Sequence, residues 1–439
     1  MTDRVLASGL SSHIGSQVKI EGWLHKKREV SSKLAFLVLR DRTGLVQVVI
    51  ENAEEIEKLK GSQVGSIIMV IGEVHAEPRA AIGVEIKNPT ITVEVEVSEV
   101  SPVEIDKPIS HDSENFDTLF NYRQITVRSV PERAIFKIKS NTVQAFRQFF
   151  WENDFTEIHT PKILAGATEG GTEVFHLDYF GKPACLAQSP QFYKQMMVGA
   201  FERVFEIGSA FRAELSFTTR HVTEIMMVDV EIGFINNHQD VLDMTTKMLN
   251  YVVDKTWEKS AKEFEMWNAT KPVLAEKYPQ ITVKDLHQMY FEATGEDFRE
   301  EKDISPIQER WICEYSKENW ASEAVFVTEF PSSSMTFYHM KNEERPEVAY
   351  RADLLFRGVE IATVPMREHR YEKLIEQIKA KGLNPEDEGF KYYVSAFKHG
   401  LPKHGGFGMG LERIVQKMIG LNSVKEAILF PRDVKRLSP

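Results

Sequence analysis

The sequence predicts an α+β protein with two domains: a small β-barrel, then a larger domain in which helices flank an antiparallel sheet. Three observations lead to this prediction. The first hundred residues are dense in short runs of Val and Ile, an acidic stretch with two prolines follows, and the rest mixes amphipathic helices with strands. A chain of 439 residues suits two domains. We place the barrel at 1–100, a linker at 101–125 and the larger domain at 126–439.

Six short runs predict the strands of the first domain, and a helix is predicted over 54–60, after the third run. The predicted strands cover 18–24, 35–40, 45–50, 67–74, 84–86 and 91–97. Five or six strands with one helix after the third are typical of an oligonucleotide-binding (OB) barrel, although a β-sandwich would give similar spacing.

Helical periodicity predicts two long helices in the larger domain, over 131–151 and 239–257. Strands are predicted over 204–208, 226–234 and 354–363, in runs broken by hairpin-like loops. We therefore expect an antiparallel sheet with helices against it.

Composition narrows the class of protein. The chain is 42% hydrophobic and 27% charged, and no stretch approaches the roughly 20 apolar residues of a membrane helix. The N-terminal residues lack a secretion signal, so we expect a cytoplasmic protein without membrane contact. Cys185 and Cys313 cannot form a disulfide framework or a zinc cluster. The net charge is −11, but 19–42 holds seven basic and three acidic residues, which indicates a place for nucleic acid.

Three separated segments carry the most specific pattern. They are FTEIHTPKI at 155–163, FEIGSAFRAELSFTTRHVTEIMMVDVEI at 205–232 and GFGMGLERIVQKMIG at 406–420. In order and spacing they resemble the three motifs of class II aminoacyl-tRNA synthetases, in the subgroup for aspartate, asparagine and lysine. The whole chain is similar to aspartyl-tRNA synthetases of the archaeal type. GFGMG alone would be a weak signal, because it opens no βαβ unit and matches a dinucleotide fingerprint only in part.

The resemblance implies that the enzyme activates aspartate with ATP. Attack on the α-phosphorus spreads negative charge over phosphate oxygens, which fixed cations stabilise. By resemblance Arg212 holds the α-phosphate and Glu214 the adenine amino group. The remaining implied ATP-binding residues lie over the outer phosphates or beneath the adenine: Arg220, His221, Glu360, Gly408, Gly410 and Arg413. Arg212, Arg413 and Glu360 are the implied catalytic residues.

Two acids are implied to bind Mg²⁺. Asp353 and Glu360 are seven residues apart within one predicted strand, and an ideal strand would point them to opposite faces. A bulge or twist near the glycine of RGVE would bring both acids to one metal ion.

The amino-acid pocket resembles that of the aspartate enzymes. Lys194 marks them, Asp229 matches their type, and Arg367 aligns with the arginine that grips the side-chain carboxylate. Gln191 and Glu169 complete the implied pocket, with Glu169 closing over the substrate ammonium group. Two stretches depart from the family pattern, 363–366 in place of SGxQ and 335–336 in place of RP. They leave open a paralogue with another amino-acid substrate.

The barrel resembles an anticodon-binding domain. Phe36 corresponds to the aromatic that stacks on the middle anticodon base, unless it is a core residue. The other implied anticodon residues either read base edges, hold phosphates or inspect the third base: Gln47, Glu85, Arg28, His25 and Pro78. A histidine with a proline resembles members that accept both tRNA(Asp) and tRNA(Asn).

Other functions stay open at this point. An aspartate-activating amide ligase would use the same adenylate chemistry, but such relatives usually lack the barrel. A non-catalytic RNA-binding protein would have lost the cations that this chain keeps. The resemblance also implies a homodimer, with Pro161 at its interface.

Overall fold

A computed structural model describes residues 3–112, 115–166, 173–215 and 221–439. Glu169 and Arg220, both predicted site residues, lie outside the described residues. The chain divides into two compact units, 1–133 and 134–439. Within the described residues, no helix is both long and apolar enough to cross a membrane.

The first unit is a closed five-stranded barrel, which confirms the predicted OB fold over the sandwich. Its strands pair in the order β1-β2-β3-β5-β4, and helix α1, Ala53–Lys58, follows the third strand. The strands are β1 Gln17–Ser31, β2 Leu34–Arg40, β3 Leu45–Ile50, β4 Ile67–Ala76 and β5 Val84–Val95.

The runs 84–86 and 91–97 were predicted as two strands, but they form the single strand β5. Asn88 adopts a positive φ of 48°, and the pairing with β4 shifts register between Ile71 and Glu73. Asn88 and Pro89, between the two predicted runs, therefore form a bulge, and the strand continues past it.

The second unit is an α+β domain around an eight-stranded sheet of order β12-β13-β14-β15-β16-β11-β10-β6. Only the pairs at its two edges are parallel. Its strands are β6 Thr156–Glu157, β10 Arg203–Phe211, β11 Glu224–Gly233, β12 Gln280–Thr282, β13 Ala324–Thr328, β14 Arg351–Phe356, β15 Val359–Pro365 and β16 His404–Gly410. A small separate sheet contains β7 Ile163–Leu164, β8 His176–Tyr179 and β9 Lys182–Leu186.

Helices cover this sheet. Those of the second unit are α5 Gln191–Phe201, α6 His238–Lys259, α7 Ala261–Met266, α8 Val283–Thr294, α9 Pro306–Trp320, α10 Tyr371–Ala380, α11 Lys391–Lys398 and α12 Leu411–Ile419, together with α4 Val130–Glu152, which begins at the end of the first unit. The helices α2 Phe116–Asn121 and α3 Arg123–Thr126 belong to the first unit. The two long predicted helices correspond to α4 and α6. Helix α6 begins with a capping box between Asn237 and Asp240, and its buried stripe includes Val241 and Leu249.

The predicted single strand over 354–363 is wrong. The chain turns back at Arg357 and Gly358, whose φ values are 47° and 81°. The segment is a hairpin of β14 and β15 in the middle of the sheet. Apolar residues at 354–356, 359 and 361–362, on both sides of the turn, looked like one continuous strand, and Gly358 was interpreted as a place for a bulge rather than as the turn residue it is.

Candidate active site

One pocket in the second unit collects the predicted nucleotide-binding residues that the structure describes. It lies on the strands β11, β15 and β16, the residues that follow β10, and the first turn of α12. Its lining includes Arg212, Glu214, His221, Glu360, Gly408, Gly410 and Arg413. These residues are separated by up to two hundred positions in the sequence, so only the fold brings them together.

The arginines of this pocket are accessible. The side chain of Arg212 is 43% exposed, and its nearest acid is Glu214, at 3.5 Å between Nη1 and Oε1. Arg413 donates from Nη1 to the backbone carbonyl of Glu360 at 2.8 Å, which aims the guanidinium along the pocket wall. The other oxygen of Glu214 lies 3.6 Å from His221 Nε2. An anionic ligand can therefore contact both guanidinium groups without first breaking a tight ion pair.

The glycines of β16 lie in a strand, not in a turn. A Cβ atom on Gly406 would lie 1.9 Å from the carbonyl oxygen of Val230, so this position must be glycine for β16 to pair with β11. A Cβ on Gly408 would lie 3.3 Å from the Asp229 carboxylate. Gly408 and Gly410 line the pocket, and their bare backbone forms part of its floor.

The two predicted metal ligands are placed by the hairpin and by a bulge. Asp353 pairs with Thr363 across the hairpin, and opposite residues share a face. Ile361 is a bulge residue, because it has no partner between the pairs Leu354–Ala362 and Leu355–Glu360. The bulge turns Glu360 to the same face of the sheet as Asp353 and Thr363. On that face the Glu360 carboxylate accepts a 2.9 Å hydrogen bond from Thr363 Oγ1. Only Glu360 lines the pocket.

Asp353 lies deeper and is 2% exposed. Both of its oxygens accept from Arg351, at 3.1 and 2.7 Å. Burial raises the pKa of Asp353 to about 7, although Arg351 opposes the shift, and Glu360 adds to it. Within the described residues no group of three or more His, Cys, Asp or Glu side chains is arranged to hold a metal ion by itself.

The predicted amino-acid residues form a buried charged cluster beside the pocket. Lys194 Nζ lies 2.9 Å from Asp229 and 3.6 Å from Glu231. Arg367 donates from Nε and Nη2 to the two oxygens of Glu231, at 2.9 and 3.2 Å. Burial alone would raise the pKa of Glu231, but Arg367 and Lys194 outweigh it and hold that pKa below its ordinary value. Asp229 and Glu231 therefore hold the side chains of Lys194 and Arg367 in place. The sequence analysis did not identify Glu231.

A chain of uncharged hydrogen bonds supports this cluster. Gln191 donates to Gln195 Oε1 at 2.8 Å, and Tyr393 donates to the same oxygen at 3.0 Å. Gln195 Nε2 lies 2.9 Å from His404 Nε2, and His404 Nδ1 lies 2.7 Å from the carbonyl of Pro402. The amide must donate to Nε2, so Nδ1 carries the proton. His404 is therefore neutral, and burial lowers its pKa to about 4.

His404 makes stability depend on pH. Between about pH 6.5 and 4 the unfolded chain binds a proton that the buried imidazole does not, so the free energy of unfolding falls as the pH drops through this range. At pH 5 the loss is about 2 kcal/mol, at roughly 1.4 kcal/mol per pKa unit. Urea unfolding at pH 7 and pH 5 should show that the free energy of unfolding changes less with pH in His404→Gln than in the parent protein. The variant His399→Gln, at an exposed histidine, should keep the pH dependence of the parent. Equal slopes in the parent and His404→Gln would contradict the assignment.

The substituted family positions beside the pocket mostly point away from it. Val364 and Met366 are buried in the hydrophobic core that includes Val241 of α6. Thr363 lines the pocket. Arg367 lies on the same side as Thr363, where it contacts Glu231. At the other departure, Met335 is 4% exposed and the Thr336 hydroxyl is buried without a described hydrogen-bond partner.

In the first unit most of the predicted anticodon residues lie on the outside of the barrel, but Glu85 is buried, with 5% exposure. Phe36 is half-buried between Ala35 and Leu37, which point inward, so the core alternative for Phe36 is wrong. Arg28 pairs with Phe36 across β1 and β2, with Cζ 5.3 Å from the ring centre. Arginine and aromatic ring therefore form one outward-facing surface.

Gln47 donates to Glu85 at 2.9 Å, and these two residues pair between β3 and β5. His25 is the unpaired residue of a bulge in β1, and burial lowers its pKa. Pro78 is exposed in the loop between β4 and β5.

Comparison with known proteins agrees with both units. Residues 115–434 match the family of tRNA synthetases class II (D, K and N), and residues 18–102 match the OB-fold nucleic acid binding domain. The aspartate–tRNA(Asp/Asn) ligase of Thermus thermophilus is 40% identical over 99% of this chain and 100% of its own length. The aspartate–tRNA(Asp) ligase of Pyrococcus furiosus is 39% identical over 97% of each chain.

Among solved structures, asparaginyl-tRNA synthetase from Pyrococcus horikoshii complexed with asparaginyl-adenylate is similar with a TM-score of 0.91, at 29% identity over 100% of both chains. A putative aspartyl-tRNA synthetase from Leishmania major gives 0.90 at 29% identity, covering 100% of this chain and 95% of its own. The chain therefore belongs to the class II aminoacyl-tRNA synthetases, in the group that includes the aspartate, lysine and asparagine enzymes.

Proposed function

We propose that this chain is an aspartate–tRNA ligase, which joins aspartate to the 3′ end of tRNA through an aspartyl-adenylate made from ATP. One observation carries the proposal. Strand β16 borders both the arginine-lined pocket and the buried charged cluster. Gly408 lies on the pocket, while the carbonyl of the preceding Phe407 accepts a 2.9 Å hydrogen bond from Lys194. An adenylate has its phosphate and its aminoacyl group in the same adjacent arrangement.

The first step needs charge stabilisation rather than proton transfer. An α-carboxylate oxygen of aspartate attacks the α-phosphorus of ATP, the bond to the bridging oxygen breaks, and pyrophosphate leaves. Arg212 stabilises charge on the α-phosphate, while Arg413, His221 and Arg220 bind the outer phosphates. Glu214 accepts from the adenine amino group. In the second step the 3′-hydroxyl of the terminal adenosine attacks the aspartyl carbonyl carbon, and AMP leaves.

Mg²⁺ is the cation that this site fits. Glu360 presents a half-exposed carboxylate to the pocket, next to the Thr363 hydroxyl, and Asp353 lies on the same face behind it. In proteins that bind ATP, Mg²⁺ is usually held by one or two carboxylates together with the phosphates of the nucleotide. We propose that Glu360 and Asp353 hold the ion, which when bound would neutralise phosphate charge.

Two cations in the cluster favour aspartate over asparagine. Lys194 and Arg367 are 1% and 3% exposed, and we propose that both bind the substrate side-chain carboxylate. Asp229, Gln191 and Glu169 bind the substrate ammonium group and complete the pocket. The neutral amide of asparagine cannot form charge-assisted hydrogen bonds with both cations, and losing such bonds costs much more than losing an apolar contact.

The barrel supports tRNA as the acceptor. We propose that Phe36 stacks on an anticodon base, that Gln47, Glu85 and Arg28 hold neighbouring groups, and that His25 and Pro78 inspect the third base. Both tRNA(Asp) and tRNA(Asn) would then be substrates, as the names of several relatives record for those proteins. As a translation enzyme the protein would act in the cytoplasm. We also propose that the protein is a homodimer, with the exposed Pro161 at the interface between its two copies.

Pyrophosphate exchange into ATP tests the first step, and labelled aspartate transfer tests the second. We expect exchange with aspartate and little with asparagine, then transfer to tRNA(Asp) and tRNA(Asn) at rates within about tenfold, because tenfold corresponds to only 1.4 kcal/mol of discrimination. Exchange without transfer would indicate an amide ligase, and absence of exchange would contradict the proposed enzyme. A preference for tRNA(Asp) beyond roughly a hundredfold would exclude the relaxed tRNA choice.

A further inference from the structure

The outer face of the β1–β2 hairpin carries two arginine–aromatic pairs. The first is Arg28 with Phe36, already assigned to the anticodon. The second is Arg40 with Trp23, which pair directly across the strands, with Arg40 Cζ 4.9 Å from the Trp23 ring centre. Phe36 and Arg40 are four residues apart on β2, so both point outward and lie about 13 Å apart. One RNA loop can reach both pairs.

Positive charge is concentrated around the second pair. Arg133 donates to the backbone carbonyls of Asp41 and Arg42, at 3.4 and 3.3 Å, which places its guanidinium beside the end of β2. Burial, together with the nearby charges of Arg133 and Arg128, lowers the pKa of Arg40 to about 10. These three arginines therefore share one region of the first unit.

No acid neutralises these arginines directly. Over the part of the chain that the structure describes, Arg40, Arg128 and Arg133 have no ion pair with an acidic side chain within 4.0 Å. The Asp41 carboxylate opposes the effect of burial, which lowers the pKa of Arg133, but it forms no ion pair with Arg133 and accepts from the backbone N–H groups of Ala7 and Thr43. Arg40 is only 5% exposed, and a buried cation without a counter-ion is costly. The arrangement is one that an incoming anion would stabilise.

We propose that Trp23, Arg40, Arg128 and Arg133 form a second RNA subsite, which holds a backbone phosphate beside the anticodon. The guanidinium fork suits a phosphodiester, and Trp23, 37% exposed, offers an aromatic surface to the adjoining nucleotide. On a chain of net charge −11, this cluster would also orient the approaching RNA. The inference rests on the proposed function, since that function supplies the RNA.

The test uses the exposed Arg128, whose side chain forms no hydrogen bond or ion pair with the other described residues. In the full-length enzyme, Arg128→Glu should weaken binding of the tRNA about tenfold, and Arg128→Gln about threefold. The slope of log binding constant against log salt should fall by about 0.7 to 0.9 for Arg128→Gln, as for one lost phosphate contact. Aspartate-dependent exchange should not change, because it needs no RNA.

Lys60→Glu is the matched control, since Lys60 is an exposed cation of the same unit, paired with Glu57. It should change tRNA affinity less than twofold. An Arg128→Glu enzyme with parental tRNA affinity and salt slope would overturn the proposal. RNA binding is measured directly, without ATP or aspartate, and it alone tests the proposed subsite. Failure of the exchange assay would instead contradict the proposed enzymatic function, so the two failures can be told apart. Trp23→Leu, with unchanged exchange as its folding control, should weaken RNA binding as well.

Discussion

Replacing Arg212 by glutamine is expected to lower the rate of aspartate-dependent pyrophosphate exchange by about 10²- to 10³-fold, the usual effect of removing one preorganised donor to a developing anion. The Arg212 guanidinium is open to the pocket and has only a loose contact with Glu214, at 3.5 Å. Its loss should therefore leave the fold intact and act on the transition state. Exchange kinetics and thermal melting, measured together, check both parts.

Arg299→Gln is the matched control, because Arg299 is an arginine of the same unit that pairs with Asp297 on the surface. It should leave exchange within twofold of the parent. If Arg212→Gln retained exchange within threefold of the parent at saturating ATP and aspartate, Arg212 would not contact the reacting phosphate.

The second large effect is expected at the buried pair of Arg367 and Glu231. Arg367→Gln leaves the Glu231 carboxylate buried without its bidentate partner, and breaking such a pair typically costs about 3–5 kcal/mol of folding free energy. The same change removes a cation proposed to bind the substrate carboxylate, so aspartate-dependent exchange should be lost. Denaturant unfolding measures the first effect and exchange the second.

A double variant separates stability from binding. Arg367→Gln with Glu231→Gln restores a neutral, hydrogen-bonded pair and should recover most of the stability, yet exchange should stay absent. Removing the surface pair by Arg345→Gln, opposite Glu329, should cost less than about 1 kcal/mol. A double variant as unstable as Arg367→Gln alone, or one that still activates aspartate, would contradict these roles.

The barrel and the long helices could be predicted because their determinants are local. A continuous run of apolar residues defines β2, and the apolar stripe and polar caps define α6. The hairpin of β14 and β15 was missed because nothing in one strand's own pattern says which neighbour it pairs with. Only the antiparallel pairing shows that Asp353 lies opposite Thr363 and that Ile361 makes a bulge.

The residues of the candidate site could be predicted where they belong to a sequence motif. The side chains that they contact could not be predicted where those side chains lie far away in the sequence. Lys194 and Arg367 were identified, but their neutralisation by Glu231 depends on β11 lying beside β16. The altered residues Val364 and Met366 suggested a changed pocket, because sequence gives no direction to a side chain. In the structure they are part of the core.

Strand β16 contributes Gly408 to the nucleotide pocket and the Phe407 carbonyl to the amino-acid cluster. Because a Cβ atom at Gly406 would lie 1.9 Å from the carbonyl oxygen of Val230, any side chain there must push β16 away from β11. A single substitution at Gly406 should therefore weaken the binding of nucleotide and amino acid together.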